Sequence, residues 1–214
     1  MIDYKSVAGK LEPSLRDVIR VVTSEVKANS SDAKPLTVET IDNHIYFYSA
    51  VNTDRTLALI REIRGVDAKL RSEQLSRNIE TSTPIWLHVQ SGGGGLFAGL
   101  AMADQLAHIA SPVYSIVEGY CASAATLISM ACTKRFIHPS AFMLIHQLSA
   151  DAWGKYEELV DEMHLLGMAM ERLNTFYQRY TRLDEEQIKK YLERDSWFNA
   201  EECLELGFVD EISS

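Results

Sequence analysis

The sequence predicts an α/β protein built on a largely parallel sheet, and three observations predict it. Short β-rich runs alternate with helical patterns from His44 to His146. A glycine cluster, Gly92 to Gly95 with Gly99, stands between one such strand and the next helix. The last third is helical, led by a long amphipathic stretch from Tyr156 to Tyr177.

Residues 1–42 are mixed and polar, and form a segment ahead of one domain, 43–214. Residues 26–35 gather Ser, Asn, Asp and Pro and predict a loop. A helix fits between Pro13 and Val26. His44 to Ala50 is rich in aromatic and β-branched residues and predicts a strand. From Thr53 to about Ile79, Leu59, Ile60, Ile63, Val66 and Leu70 recur at a period near 3.6, which predicts a helix. Pro84 opens a short apolar strand, Ile85 to Val89, where Trp86 and His88 alternate and His88 is expected to face a surface groove.

After the glycines, small residues make a helix from Leu96 to about Ile109. Val113 to Val117 is a strand, Gly119 to Ala122 a turn, and Ser123 to Ala131 an Ala-rich helix. Arg135 to Ile137 and Phe142 to His146 are strands. From Tyr156 to Tyr177 the apolar residues fall three or four apart, with one adjacent pair, as on one helix face. Asp184 with Gln187, and Asn199 with Glu202, make capping boxes that start two more helices, the first ending at Asp195. Gly207 suits a helix stop.

Composition narrows the function. At 214 residues and 46% hydrophobic, the chain can bury a real core and is not disordered. It has no run of about 18 apolar residues, so no membrane-spanning helix is expected. A formal net charge of −9 argues against nucleic acid or an anionic membrane as partner. Cys121, Cys132 and Cys203 form no even framework, and the start, MIDYKSVAGK, has no apolar signal segment. A reducing, cytoplasmic location is expected.

The glycine cluster follows a strand and precedes a helix, so backbone amides there can converge on one small space. Such an arrangement suits phosphate or an oxyanion of acyl transfer. The phosphate reading lacks a Gly-Lys-Ser/Thr or a full dinucleotide fingerprint. A plain flexible turn is the alternative. Ser123, flanked by small residues in Gly119-Tyr-Cys-Ala-Ser123, is a candidate nucleophile, with a helix N-cap as its bland alternative. Cys121 is a rival on paper, better suited to packing. His146 ends a strand, where ligands meet an α/β fold, or is simply a hydrogen-bonded half-buried residue. A serine needs a base, and the base a carboxylate to fix its tautomer. Pattern alone does not choose Asp195 among 30 acids, and a helix-end or ion-pair role would suit it as well.

From about His44 to Ile212 these motifs, in order, resemble those of the ClpP family, the proteolytic subunits of the Clp protease. Ser91-Gly-Gly-Gly94 with Ala98-Gly99 resembles the family's Ser-Pro-Gly-Gly loop and following helix. Gly119-Tyr-Cys-Ala-Ser123 is similar to its Gly-x-Ala-Ala-Ser turn, Leu144-Ile-His-Gln147 to its Met-Ile-His-Gln, Glu193-Arg-Asp195 to its Glu-Arg-Asp, and Gly207-Phe-Val-Asp210 to its Gly-Leu-Val-Asp.

The resemblance implies a crotonase/ClpP-like ββα superhelix with a protruding helical handle, here about 148–180. It implies a catalytic triad of Ser123, His146 and Asp195, with an oxyanion hole from Gly94 and Ala124. The activity it implies is a serine endopeptidase acting on unfolded polypeptides inside an oligomeric chamber, with no cofactor and no metal. The chamber would be a heptameric ring, paired into a double ring of fourteen, fed by an AAA+ unfoldase. Residues 1–42 would supply the axial gate, and Trp86 and His88 part of the unfoldase-docking pocket. Gly92 stands where the family has proline, Ala124 where it usually has methionine, and Leu148 to Gly154 replaces a glycine-rich strand. Two alternatives remain beside this reading: a non-catalytic ring subunit or scaffold, and an acyl-CoA enzyme of the same superfold.

Overall fold

The computed structural model describes residues 38–78 and 80–213. The expected gate, the helix between Pro13 and Val26, the loop at 26–35 and the helix end at Ile79 lie outside the described residues, apart from residues 38–42 of the N-terminal segment.

Eight strands form one sheet among the described residues. They are β1 (Glu39–Ile41), β2 (His44–Phe47), β3 (Ile85–Ser91), β4 (Val113–Ala122), β5 (Lys134–Ile137), β6 (Phe142–Ile145), β7 (Ser196–Phe198) and β8 (Glu211–Ile212). The main path runs β1-β2-β3-β4-β5-β8, with β6 pairing β4 and β7. Pairing is parallel from β2 through β8, and antiparallel only for β1 with β2 and β6 with β7. The sheet is therefore largely parallel, as the alternation predicts.

The helices are α1 (Thr53–Arg77), α2 (Leu96–Leu106), α3 (Ala124–Met130), α4 (Tyr156–Tyr180), α5 (Glu185–Leu192) and α6 (Ala200–Glu205). Asn52 caps α1 by accepting from the Arg55 N–H, and Asn78 ends it in a left-handed conformation. The face that α1 turns to the sheet carries Leu59, Ile60, Ile63 and Val66, all buried. Each fully buried Leu or Ile there contributes about 1.5–3 kcal/mol. Both capping boxes form as the sequence predicts, Asp184 with Gln187 and Asn199 with Glu202.

One element differs in a way that matters. The turn expected at Gly119 to Ala122 is instead strand, because β4 continues to Ala122. Its first half pairs β5 and its second half pairs β6. Between them, two steps along β3 (Val89 to Ser91) match four along β4 (Val117 to Cys121). Gly119, at φ +68°, takes up that bulge in a conformation that L side chains rarely adopt. The bulge lets β4 switch partner from β5 to β6 and carries its end to Ser123.

The last third is held by Arg135. Its guanidinium donates to Asp210 and to the carbonyls of Tyr180 and Gly207, joining the end of α4 to the C-terminal strand. Burial raises the carboxyl of Asp210, yet its bonds to Arg135 hold it below its ordinary value on balance. α4 buries only Ala169, Leu173 and Tyr177, all in its C-terminal half. Its N-terminal half leaves Tyr156, Val160 and Met163 exposed, so the helix protrudes with a bare apolar stripe.

Candidate active site

Three neighbouring parallel strands deliver the site to one edge of the sheet. β3 runs into the glycine loop, β4 into Ser123 and β6 into His146. Register aligns them: Ser91 lies opposite Cys121, and Ala122 opposite Leu144. The Ser123 N–H then donates to the Leu144 carbonyl at 2.8 Å. Ser123 and His146, 23 apart in sequence, thus end side by side.

Ser123 sits at the N-cap position of α3, but its side chain caps nothing. Its backbone lies at φ 55°, ψ −130°, a region that costs a non-glycine residue about 1–3 kcal/mol. The hydroxyl points instead at His146, with Oγ 2.8 Å from Nε2. When Oγ donates this bond, Nε2 is the acceptor and the ring proton sits on Nδ1.

Asp195 arrives by the antiparallel pairing of β6 with β7. Ile145 lies opposite Ser196, so the next step along that ladder brings His146 to Asp195. Asp195 does not end a helix as the sequence suggests. α5 stops at Leu192, and Asp195 lies in the short turn into β7. His146 Nδ1 and Asp195 Oδ1 are 3.8 Å apart, an ion-pair distance beyond a hydrogen bond. The Gln147 N–H donates to the Leu192 carbonyl at 2.7 Å and fixes the chain just past the histidine.

The glycine loop is stitched to Val51, a residue with no signal in the sequence. The Val51 N–H donates to the Gly93 carbonyl, and the Gly95 N–H donates to the Val51 carbonyl, each at 2.8 Å. The Gly93 N–H goes to Ser91 Oγ, which itself donates to the Ser49 carbonyl. Among the described residues, these bonds use the amides of Gly93 and Gly95 and not that of Gly94. Gly94 has φ +145°, and a Cβ there would fall 2.2 Å from the Val51 carbonyl oxygen. At Gly93 a Cβ would fall 2.7 Å from the Ser123 Cβ, so the loop lies directly against the serine.

Gly94, Ser123, Ala124 and His146 all line one pocket of about 280 Å³, whose other walls are mainly apolar, among them Leu127, Leu148, Leu166 and Leu173. An acyl group fits there with a hydroxyl, a base and backbone amides around it. Among the described residues no group of His, Cys, Asp and Glu could hold a metal ion. Cys121, two residues before Ser123 in β4, is fully buried, and burial pushes its thiol well up, which suits packing rather than attack.

Trp86 and His88 lie apart from this edge, on the face of β3 opposite Leu87 and Val89. His88 is half-buried there, its side chain 12% exposed. Its Nδ1 is 2.7 Å from Glu118 Oε1, its Nε2 is 2.9 Å from His44 Nδ1, and the Tyr46 ring stacks on it.

A family model described as Clp protease matches residues 39–214. The chain is 32% identical over 179 residues to the ATP-dependent Clp protease proteolytic subunit 2 of Treponema denticola, covering 82% of this chain and 89% of the relative. It is 40% identical over 173 residues to the ATP-dependent Clp protease proteolytic subunit of Streptococcus sanguinis, covering 77% and 87%. A mutant of ClpP1 from Listeria monocytogenes superposes with a TM-score of 0.69 at 24% identity, covering 81% of this chain and 92% of that one. That likeness shows the ClpP fold, as the sequence motifs imply.

Proposed function

The chain belongs to the Clp protease family, a family of serine endopeptidases, and we propose that it cleaves unfolded polypeptides with Ser123 as nucleophile. Ser123 Oγ attacks the scissile carbonyl while its proton passes to His146 Nε2. The carbonyl electrons move to oxygen, and the N–H groups of Gly94 and Ala124 receive that charge. Collapse expels the amine, which takes the proton from His146. Water then attacks the acyl-enzyme by the same route and frees Ser123. Asp195 holds His146 in the tautomer with Nδ1 protonated and steadies the imidazolium. The observation that carries the proposal is the 2.8 Å contact between Ser123 Oγ and His146 Nε2 in a pocket that Gly94 and Ala124 also line.

The protomer works in a closed chamber of heptameric rings, with the protruding α4 as the handle between rings. The bare apolar stripe of Tyr156, Val160 and Met163 supports this, because a lone chain leaves it in water. An AAA+ unfoldase feeds the chamber, docking near Trp86, and the assembly is cytoplasmic. No described helix is long and apolar enough to cross a membrane.

One observation favours a second reading, a ring subunit that does not cleave: the 3.8 Å gap between His146 and Asp195. The test for both is a fluorophosphonate probe on the assembled protein, with Ser123→Ala as control. Ser123-dependent labelling and cleavage of a short peptide by the homomeric ring support the peptidase. Absence of labelling in every assembly state leaves the non-cleaving subunit.

A further inference from the structure

We propose that Thr126 and Tyr177 are positioning residues that lock the peptide between Ser123 and Ala124, and so aim the Ala124 N–H at the developing oxyanion. The inference rests on the peptidase reading above and adds to it two residues outside the Ser-His-Asp set.

A peptide unit is planar, so its C=O and N–H turn together. The carbonyl of Ser123 and the N–H of Ala124 belong to one such unit. Fixing the carbonyl therefore fixes the donor on its far side. The unit needs fixing, because Ser123 is strained at φ 55° and α3 begins only at Ala124. A rotation of this one plane would relieve Ser123 and turn the Ala124 N–H out of the pocket.

The carbonyl is held from the inside. It accepts the Thr126 N–H at 3.0 Å and the Thr126 hydroxyl at 2.7 Å. A threonine hydroxyl has a single proton. Having given it to the carbonyl, Thr126 Oγ1 can only accept from the Tyr177 hydroxyl, 2.9 Å away. The direction of the chain is thus set: Tyr177 donates to Thr126, and Thr126 donates to the Ser123 carbonyl. Thr126 is 0% and Tyr177 1% exposed, so water offers neither an alternative partner. Burial also pushes the Tyr177 hydroxyl well up, keeping its proton available as a donor.

Tyr177 comes from α4, 51 residues away, at the buried base of the protruding helix. Leu173 and Tyr177 line the pocket that holds Ser123. The seating of α4 is thereby tied to the oxyanion donor through two hydrogen bonds.

The experiment is steady-state hydrolysis of a short peptide by assembled protein whose Ser123 sites have been counted with a fluorophosphonate probe. Tyr177→Phe keeps the ring and loses the donor; Thr126→Val keeps the shape and loses both roles; Thr126→Ser keeps the hydroxyl. Losing a well-aimed oxyanion donor lowers turnover by about 100-fold, and loosening it by about tenfold. We expect Tyr177→Phe near the lower figure and Thr126→Val near the higher, with KM unchanged and Thr126→Ser close to wild type. Affinity for a peptide boronate, which forms a tetrahedral adduct on Ser123, falls in parallel with kcat, while affinity for cleaved peptide does not. A wild-type kcat in Tyr177→Phe and Thr126→Val overturns the proposal. So does a loss shared by kcat, KM and thermal stability that Thr126→Ser fails to rescue, since that is a packing role. A wild-type protein without Ser123-dependent labelling overturns the peptidase reading itself, a result distinct from either.

Discussion

His88 and His146 each stand beside a carboxylate, and the two pairs have opposite character. His88 meets Glu118 at 2.7 Å on the aromatic face of the sheet. Glu118 also accepts from the Tyr48 hydroxyl, and His138 Nε2 lies 3.5 Å from it. Every polar atom of that pair is occupied. His146 meets Asp195 at 3.8 Å, and its other nitrogen faces a serine hydroxyl in an open pocket. A tight His–carboxylate bond therefore does not mark the chemistry here. The proposed site is distinguished instead by a strained serine, a glycine loop against it and space for an acyl group.

The sharpest way to test that contrast is to disarm each pair in turn. His146→Ala lowers cleavage of a short peptide by about 10⁴-fold or more, as expected when a serine loses its base. Glu118→Gln, which disarms the tighter pair, leaves that rate unchanged. A peptide assay on both variants, normalised to folded protein, reads the difference. Equal losses would mean that the Glu118 cluster reaches the site and the contrast is wrong.

Asp195→Asn probes the loose contact directly. As the proposed orienter of His146, Asp195 is worth up to about 10⁴-fold in kcat, no more than the base it serves. A loss under tenfold would show that the 3.8 Å gap persists in the working enzyme and that Asp195 takes no part. Gly94→Ala follows with about 100-fold, since its new Cβ collides with the Val51 carbonyl and displaces the loop. Its labelling by a fluorophosphonate slows with it. Wild-type labelling would remove Gly94 from the oxyanion hole.

Much of this arrangement was legible in the residues. Periodicity located α1 and α4, β-rich runs located β2 and β3, and Gly92 to Gly95 flagged the loop. These signals are local, and local patterns survive in a sequence. Gly119 misled because one glycine serves a turn and a strand bulge equally well, and only pairing with two different partners tells them apart. β1, β7 and β8 are two or three residues long, too short to show alternation. Asp195 came from the family motif alone, because its approach depends on the β6–β7 register. Val51 left no trace and Tyr177 showed only as a helix-face residue, since their contacts cross 42 and 51 residues and are made by backbone groups or by one hydroxyl.

The smallest expected effect is on stability against pH, and it comes from His88. Burial first, then the charges of His44 and His138, push His88 down to about 4. In the unfolded chain it titrates at its ordinary value near 6.5. Above that pH both states hold it neutral, and its contribution to stability is complete. As pH falls from about 6.5 towards 4, the unfolded chain takes up a proton that the folded one refuses, so stability falls. Below about 4 this contribution to the slope ends. Other carboxylates titrate in the same range, so the informative quantity is the difference between wild type and His88→Phe, which keeps a ring beside Tyr46. Thermal melts should show wild type losing more on acidification from pH 6.5 to 4 than the variant does. Parallel curves would mean that His88 takes its proton as readily folded as unfolded, and that the Glu118 cluster opens to water as the Ser123 pocket does.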